Sequence, residues 1–180
     1  MEKYLVLSKY FLSLFGVDDF RQLPLKDIQE RIDDGDETTP FMKTLMSLKG
    51  INFSKDDLLR YDQNIQEYVR KINRYRGNVV LKYFQYLPVL FTEIFLDQFK
   101  NNKVEFLNQL NEFLNQYRSE NEIDISNFEL KDLNKLAFWM ATGSGKTLIM
   151  HINYLQFLKY RPFEPDNILL ITPNEGLSRQ

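Results

Sequence analysis

The sequence predicts an α/β protein in which a helical N-terminal region is followed by the beginning of a parallel sheet. Amphipathic segments with helix-capping residues follow one another up to residue 117. Two short apolar runs, 136–140 (LAFWM) and 168–171 (ILLI), then flank a segment of helical periodicity, so strand, helix and strand fit within about 32 residues, counted from Met140 to Thr172. Because a parallel sheet is buried on both faces, its strands are expected to be apolar throughout.

The composition is that of a globular protein, and it excludes several classes of function. Hydrophobic residues make up 43% of the 180 residues and charged residues 27%, which is enough for a packed core. The net charge of −2 excludes a wholly basic protein that coats nucleic acid. The sequence has no cysteine and one histidine, His151, so it offers neither a disulfide nor the ligands of a zinc site.

The most apolar segment, 83–96, is too short and too often interrupted to cross a membrane. Gln85, Pro88 and Glu93 lie within it, and a span needs roughly 20 apolar residues. The N-terminal segment is interpreted as an amphipathic helix and not as a signal peptide, because Lys9 interrupts it and no small-residue cleavage site follows. A cytoplasmic protein without membrane association is therefore expected.

Helix-capping residues divide the first 77 residues into four predicted helices. The first two cover 3–14 and 25–32. Thr39 is the N-cap of the third, which ends at Gly50, and Ser54 is the N-cap of the fourth. Apolar residues recur every three or four positions along the fourth helix and predict one buried stripe, formed by Leu58, Tyr61, Ile65, Tyr68, Ile72 and Tyr75.

Two further helices, 83–99 and 103–117, are predicted after a break at residues 77–78, with a polar linker from 118 to 127. We therefore divide the chain into a helical accessory region (1–77), a helical hairpin or insertion (78–127) and the start of the α/β part (128–180). The helix of the α/β part is predicted for 147–160. Its spacing places Leu148, Ile152 and Leu155 inward and Asn153, Gln156 and Lys159 outward.

The turn between the first apolar run and this helix has the composition of a phosphate-binding loop. Its residues are Ala141, Thr142, Gly143, Ser144, Gly145, Lys146 and Thr147. Glycines let backbone N–H groups converge on an anion, and the following helix presents its positive end to the same place. Lys146 is expected to reach the β- and γ-phosphates of a nucleotide, and the Thr147 hydroxyl to bind Mg²⁺. Met140 stands where the strict pattern has its first glycine.

The run WMATGSGKT resembles the first motif of superfamily-two helicases and translocases, which include the DEAD/DEAH-box proteins. Thr172, Pro173 and Asn174, with Leu177 and Gln180 after them, resemble the next motif of that superfamily. The resemblance implies a RecA-like domain that uses ATP and Mg²⁺, and it implies that Thr172, Pro173 and Asn174 touch the nucleic-acid backbone.

Residues 135–180 resemble most closely the restriction subunits of type III restriction–modification enzymes. LAFWMATGSGKTLIMHINYLQ and ILLITPNEGLSRQ carry this likeness. It implies a double-stranded DNA substrate and a modification methyltransferase subunit as partner. The resemblance places three further parts of such enzymes beyond residue 180: the Asp-Glu pair, the arginines of the second RecA-like domain and the nuclease. The chain alone is therefore expected to bind ATP without completing catalysis.

Several residues have two interpretations. LKYFQ at 81–85 resembles the element whose glutamine reads adenine in that superfamily, so Gln85 is either an adenine-binding residue or an ordinary polar helix position. Asp124 with Glu129 and Lys131 resembles a metal-nuclease signature, but the polar stretch leaves little room for the neighbouring strands it needs. The clustered basic residues of 70–82 form either a phosphate-contacting patch or a solvated helix face.

Asp36-Glu37 is expected to lie in a turn, and His151 on the surface of the helix. The function expected is the ATP-binding part of a DNA translocase. The alternatives are another superfamily-two helicase, acting on RNA or in repair, and a non-enzymatic nucleotide-binding module.

Overall fold

The computed structural model describes residues 2–33, 35–169 and 171, and it arranges them as packed helices. The α-helices are α1 (Val6–Leu14), α2 (Pro40–Met46), α3 (Lys55–Arg76), α4 (Tyr83–Asn101), α5 (Lys103–Asn121) and α6 (Lys146–Tyr160), and 3₁₀ turns cover Glu2–Tyr4, Phe20–Gln22 and Asp132–Asn134. No helix within the described residues has both the length and the apolar character that crossing a membrane requires.

The predicted N-caps of α2 and α3 are confirmed. The Thr39 side chain accepts a hydrogen bond from the Met42 N–H, and the Ser54 side chain accepts one from the Asp57 N–H. Pro40 lies at the first position of α2, where its missing N–H costs nothing. The two helices predicted at 83–99 and 103–117 are observed as α4 and α5, which are separated by Asn102 alone.

Helix α4 lies at the centre of the molecule and packs against α3, α5 and α6. Most of its residues are buried, so it is apolar around nearly its whole circumference, as a central helix must be. Aromatic side chains fill the space between α4 and its neighbours. The ring centroids of Phe11 and Phe91 lie 5.3 Å apart, and those of Phe95 and Phe106 lie 5.5 Å apart.

The predicted α/β fold class is wrong for the described residues, in which no strand forms. The runs 136–140 and 168–171 take up no β-pairing where they are described. A strand is stabilised by a neighbouring strand, and here each run lies without one. Most of their described side chains are consequently exposed, with Trp139 at 75% and Leu169 at 81%. The face of α6 that was expected to cover a sheet packs against α4 instead.

Three local predictions are also corrected. Residues 25–32 form turns, bends and irregular backbone and not a helix, because Leu25 alone among them is fully buried and a short helix needs a buried stripe to be stable. Tyr75 does not continue the buried stripe of α3, since 90% of it is exposed. Gln156 was predicted to face outward. It faces inward and is fully buried, because its side chain donates a hydrogen bond to the buried Glu93. The division of the chain at residues 77 and 127 stays a prediction.

Candidate nucleotide-binding site

The glycine-rich turn at 141–145 is an exposed loop that leads directly into α6. Gly143 has φ +78° and Gly145 has φ +90°, both in the left-handed region that favours glycine. The Ser144 hydroxyl donates a 2.7 Å hydrogen bond to the Ala141 carbonyl, which closes the turn. Ala141, Thr142 and Gly143 are exposed and therefore accessible to a ligand.

The Lys146 side chain folds back over the loop. Its Nζ donates hydrogen bonds to the carbonyl oxygens of Ala141 (2.9 Å) and Met140 (3.3 Å). The ammonium group is exposed, so these carbonyls compete with water for it. A phosphate at the loop would offer Lys146 an acceptor of full negative charge, and charge-assisted hydrogen bonds are the stronger ones.

The first turn of α6 presents unpaired N–H groups beside Lys146. Because the first helical bond runs from the Ile149 N–H to the Gly145 carbonyl, the three N–H groups before Ile149 have no acceptor within the helix. Thr147 lies half-buried among them. These donors, the lysine and the positive end of the helix fit a phosphate group. The Thr147 hydroxyl is an oxygen ligand of the kind that Mg²⁺ takes.

The structure brings Gln85 to this loop from the other side. Gln85 lies in the first turn of α4, and its Nε2 donates a 2.9 Å hydrogen bond to the Ser144 carbonyl. Its Oε1 accepts a 2.9 Å bond from the Lys82 N–H. A Cβ on Gly145 would lie 2.4 Å from Gln85 Nε2, so glycine is needed for this close approach. The amide thus reaches the loop, although 59 residues separate Gln85 from Ser144.

A buried glutamate holds the far end of α6, and the sequence analysis missed its role. Glu93 on α4 is fully buried. Its Oε1 accepts hydrogen bonds from Asn64 Nδ2 (2.7 Å), the Tyr160 hydroxyl (2.8 Å) and the Tyr68 hydroxyl (3.2 Å), and its Oε2 accepts one from Gln156 Nε2 (2.7 Å). Burial raises the pKa of Glu93 above its ordinary value of 4.5. A glutamate within the most apolar segment was the signal that could have revealed it.

The remaining predicted residues lie apart from the loop or outside the described residues. Glu129 is exposed and forms an ion pair with Lys131 at 2.7 Å. Asp36 pairs with Lys43 on the surface. In the described part of the chain no three His, Asp or Glu side chains come together as a metal site. Thr172, Pro173 and Asn174 are not among the described residues.

His151 lies on the second turn of α6, partly buried. Its pKa is lowered by burial and then by the nearby charge of Arg76, so it is neutral at pH 7. A neutral imidazole adds no positive charge near the glycine-rich loop. The cationic contribution at the loop therefore comes from Lys146.

Comparison with known proteins supplies one match. The family model described as type III restriction enzyme, res subunit, matches residues 91–180. This range contains the loop and all of α6, whereas Gln85 precedes it. No curated protein and no solved structure matches the chain. Since the family model covers half of the sequence, the chain belongs to the type III restriction enzyme res subunit family.

Proposed function

We propose that this chain forms the ATP-binding part of an ATP-dependent DNA translocase, the restriction subunit of a type III-like restriction–modification system. The observation that supports it most is the loop 141–147 at the start of α6, with its two left-handed glycines and with Lys146 folded over it. The loop lies inside the segment that matches the family model, so the local geometry and the family both support this proposal.

In this proposal each part of the loop has one task. The N–H groups of the first turn of α6 bind phosphate oxygens, and Lys146 exchanges its carbonyl partners for the β- and γ-phosphates. The Thr147 hydroxyl would hold Mg²⁺, which when bound neutralises charge on the phosphates and orients them. Gln85 donates a hydrogen bond to the Ser144 carbonyl and so keeps the loop in place, and we propose that it also contacts adenine.

DNA and a modification methyltransferase subunit are the partners in this proposal. Membership of the family supports DNA as a partner, and the restriction–modification setting suggests the methyltransferase. Thr172, Pro173 and Asn174 are proposed to contact the DNA backbone. The affinity of the chain for duplex DNA and for duplex RNA of the same sequence, each with Mg·ATP present, tests the choice of polymer. Tighter binding to RNA would favour an RNA helicase instead.

The nucleotide specificity of thermal unfolding tests the proposed binding. A ligand that binds only the folded state raises the melting temperature, by an amount that grows with the ratio of its concentration to its dissociation constant. Mg·ATP and Mg·ADP are expected to raise the melting temperature of the chain, and AMP at the same concentration to leave it unchanged, because the loop contacts the β- and γ-phosphates. Equal shifts with AMP, or no shift with ATP, would contradict the proposal.

A further inference from the structure

We propose that a cavity between α3 and the segment 78–81 binds a small amphipathic anion, a ligand with an apolar body and one carboxylate or phosphate group. The cavity has a volume of about 480 Å³, and small-molecule sites usually have about 300–1,000 Å³. Its walls come mainly from α3, from the segment 78–81 that precedes α4 and from residues 30–32. Its lining includes no residue of the loop 141–147, so the inference goes beyond nucleotide binding.

Apolar side chains form one part of the cavity wall. Phe41, Ile65 and Leu81 line the cavity and are buried, at 2%, 1% and 5% exposure. Val69 and Val79 are partly buried against the same core and also line it. A wall of this kind favours an apolar ligand body, because both surfaces leave water when they meet.

Positive charge lies beside this apolar wall. Gln66, Val69, Arg70 and Asn73 are related by helical spacings of three and four, so they share one face of α3, and all four line the cavity. Arg31 lines the cavity from the segment 30–32. Both arginines are exposed, and in the described part of the chain no ion pair joins either of them to a carboxylate.

The acidic residues near the two arginines are already paired. Glu67, which follows Gln66 on α3, lies 2.8 Å from Lys71 Nζ. Glu30 Oε1, at the cavity wall, lies 2.6 Å from Lys82 Nζ. The charge that the cavity offers to a ligand is therefore positive.

Most other polar side chains of the wall are also bonded within the protein. Asn73 Nδ2 donates to the Val79 carbonyl (3.1 Å), and Asn73 Oδ1 accepts from the Val79 N–H (2.6 Å). The hydroxyl groups of Thr39 and Tyr86 both donate to the buried carboxylate of Asp62. These groups hold the wall together and are not available to a ligand.

Two backbone donors at the wall have no partner. Val80 and Leu81 line the cavity, and their N–H groups form no hydrogen bond within the described residues. Buried N–H groups are nearly always paired, so Leu81 in particular gains from a ligand that accepts a hydrogen bond. Carboxylate and phosphate oxygens accept from N–H groups and form two parallel bonds with a guanidinium group. An amphipathic anion thus complements both the donors and the apolar wall.

Calorimetric titration of the full chain with naphthylacetate, and with the neutral naphthylacetamide, tests the inference. The two ligands share an apolar body and differ in charge, so naphthylacetate is expected to bind about tenfold more tightly at low salt. Naphthyl phosphate, titrated in parallel, identifies the anionic group that the site prefers. Equal affinities for the acid and the amide, or no binding of naphthylacetate, would overturn the inference.

The double variant Arg31→Gln/Arg70→Gln tests the assignment of the charge. It should reduce the affinity for naphthylacetate about tenfold, to that of naphthylacetamide, and leave the affinity for the amide unchanged. Lys26→Gln/Arg74→Gln makes the same change of charge at exposed residues outside the cavity and should bind both ligands as wild type does. An equal loss of naphthylacetate affinity in the two double variants, or a loss in neither, would overturn the inference.

Val69→Trp tests the place of the apolar body, because the larger ring fills space in the cavity. It should weaken the binding of naphthylacetate and naphthylacetamide alike, by about tenfold or more. Val104→Trp adds the same ring at an exposed valine of α5 and should bind both ligands as wild type does. Undiminished binding by a folded Val69→Trp would overturn the inference. If that variant does not fold, the exposed arginine variants still decide the question.

Discussion

The side-chain amide of Gln85 donates a 2.9 Å hydrogen bond to the backbone carbonyl of Ser144, and so joins the first turn of α4 to the glycine-rich loop before α6. Further along α4, Glu93 accepts a hydrogen bond from Gln156, near the end of α6. One helix thus holds both the loop and the far end of the helix that follows it. The conformation of the loop depends on α4 as well as on its own glycines.

Gly145→Ala is predicted to weaken both the fold and nucleotide binding. At φ +90° an alanine costs about 1–2 kcal/mol, and its Cβ would lie 2.4 Å from Gln85 Nε2. The side chain of Gln85 must then leave Ser144, which frees the loop. We expect a lower free energy of unfolding in denaturant titration and at least a tenfold loss of Mg·ATP affinity by calorimetry, since a displaced loop loses several phosphate contacts.

Gly77→Ala is the matched control for this prediction. Gly77 has φ +80°, and no atom lies within 4 Å of an added Cβ, so the substitution adds backbone strain without a clash. It should lower stability by about 1–2 kcal/mol and leave the affinity for Mg·ATP as in wild type. Equal losses of affinity in the two variants would show that the contact with Gln85 is irrelevant to the loop.

Gln85→Ala separates the two interpretations of that glutamine. The variant loses the bond to Ser144 and should weaken the binding of both nucleotides; if Gln85 also reads adenine, Mg·ATP should lose several-fold more affinity than Mg·GTP, because the amide donor and acceptor then pair with the adenine edge. If Gln85 only positions the loop, both nucleotides should lose affinity alike. We expect the first result in competition binding against a fluorescent ATP analogue. Unchanged affinity for both nucleotides would exclude both roles, reading adenine and positioning the loop.

Glu93→Ala is predicted to lower the free energy of unfolding by about 3 kcal/mol or more. The substitution leaves four buried donors without an acceptor, and each such group costs about 1–3 kcal/mol. Denaturant unfolding measures this change. Glu112→Ala removes an exposed glutamate of α5 and should change stability by less than about 0.5 kcal/mol. A loss as small as that of the control would contradict the proposed network.

Glu93 should also make stability depend on pH, in a direction fixed by its raised pKa. The folded state holds the proton of Glu93 more tightly than the unfolded state does, because burial penalises the charge. Its favourable contribution is complete below the ordinary value of 4.5 and is lost as the pH rises through the raised pKa. As the pH rises from 4.5 through the raised pKa, the unfolding free energy of wild type should therefore fall relative to that of Glu93→Gln. A difference that stays constant with pH would contradict the raised pKa of Glu93.

Local signals along the chain were sufficient to predict most of the helices. Thr39 and Ser54 marked the starts of α2 and α3 because their side chains cap the helix within three residues. The loop at 141–147 was predicted for the same reason, since its glycines and Lys146 act within one turn. Features of this kind depend on neighbours in sequence, and a single sequence contains them.

The corrected predictions depend on partners that are distant in sequence. Whether 136–140 forms a strand depends on another strand to pair with, and its apolar composition does not establish one. Gln156 was expected to face solvent because it is polar, but Glu93, 63 residues away, supplies a buried acceptor for it. Tyr75 was expected to be buried from its spacing, although nothing packs over it. Periodicity describes the face of an element and does not identify what covers that face.

The most direct test of the account is the affinity of the full chain for Mg·ATP, compared between wild type, Lys146→Ala and Lys135→Ala. Lys135 is an exposed lysine outside the loop, so Lys135→Ala removes the same charge and is the matched control. Loss of a charge-assisted bond to phosphate costs about 1.5–3 kcal/mol, so Lys146→Ala should weaken binding at least tenfold. Lys135→Ala should bind as wild type does. Equal affinities for all three proteins would contradict the assignment of the loop as the nucleotide-binding site.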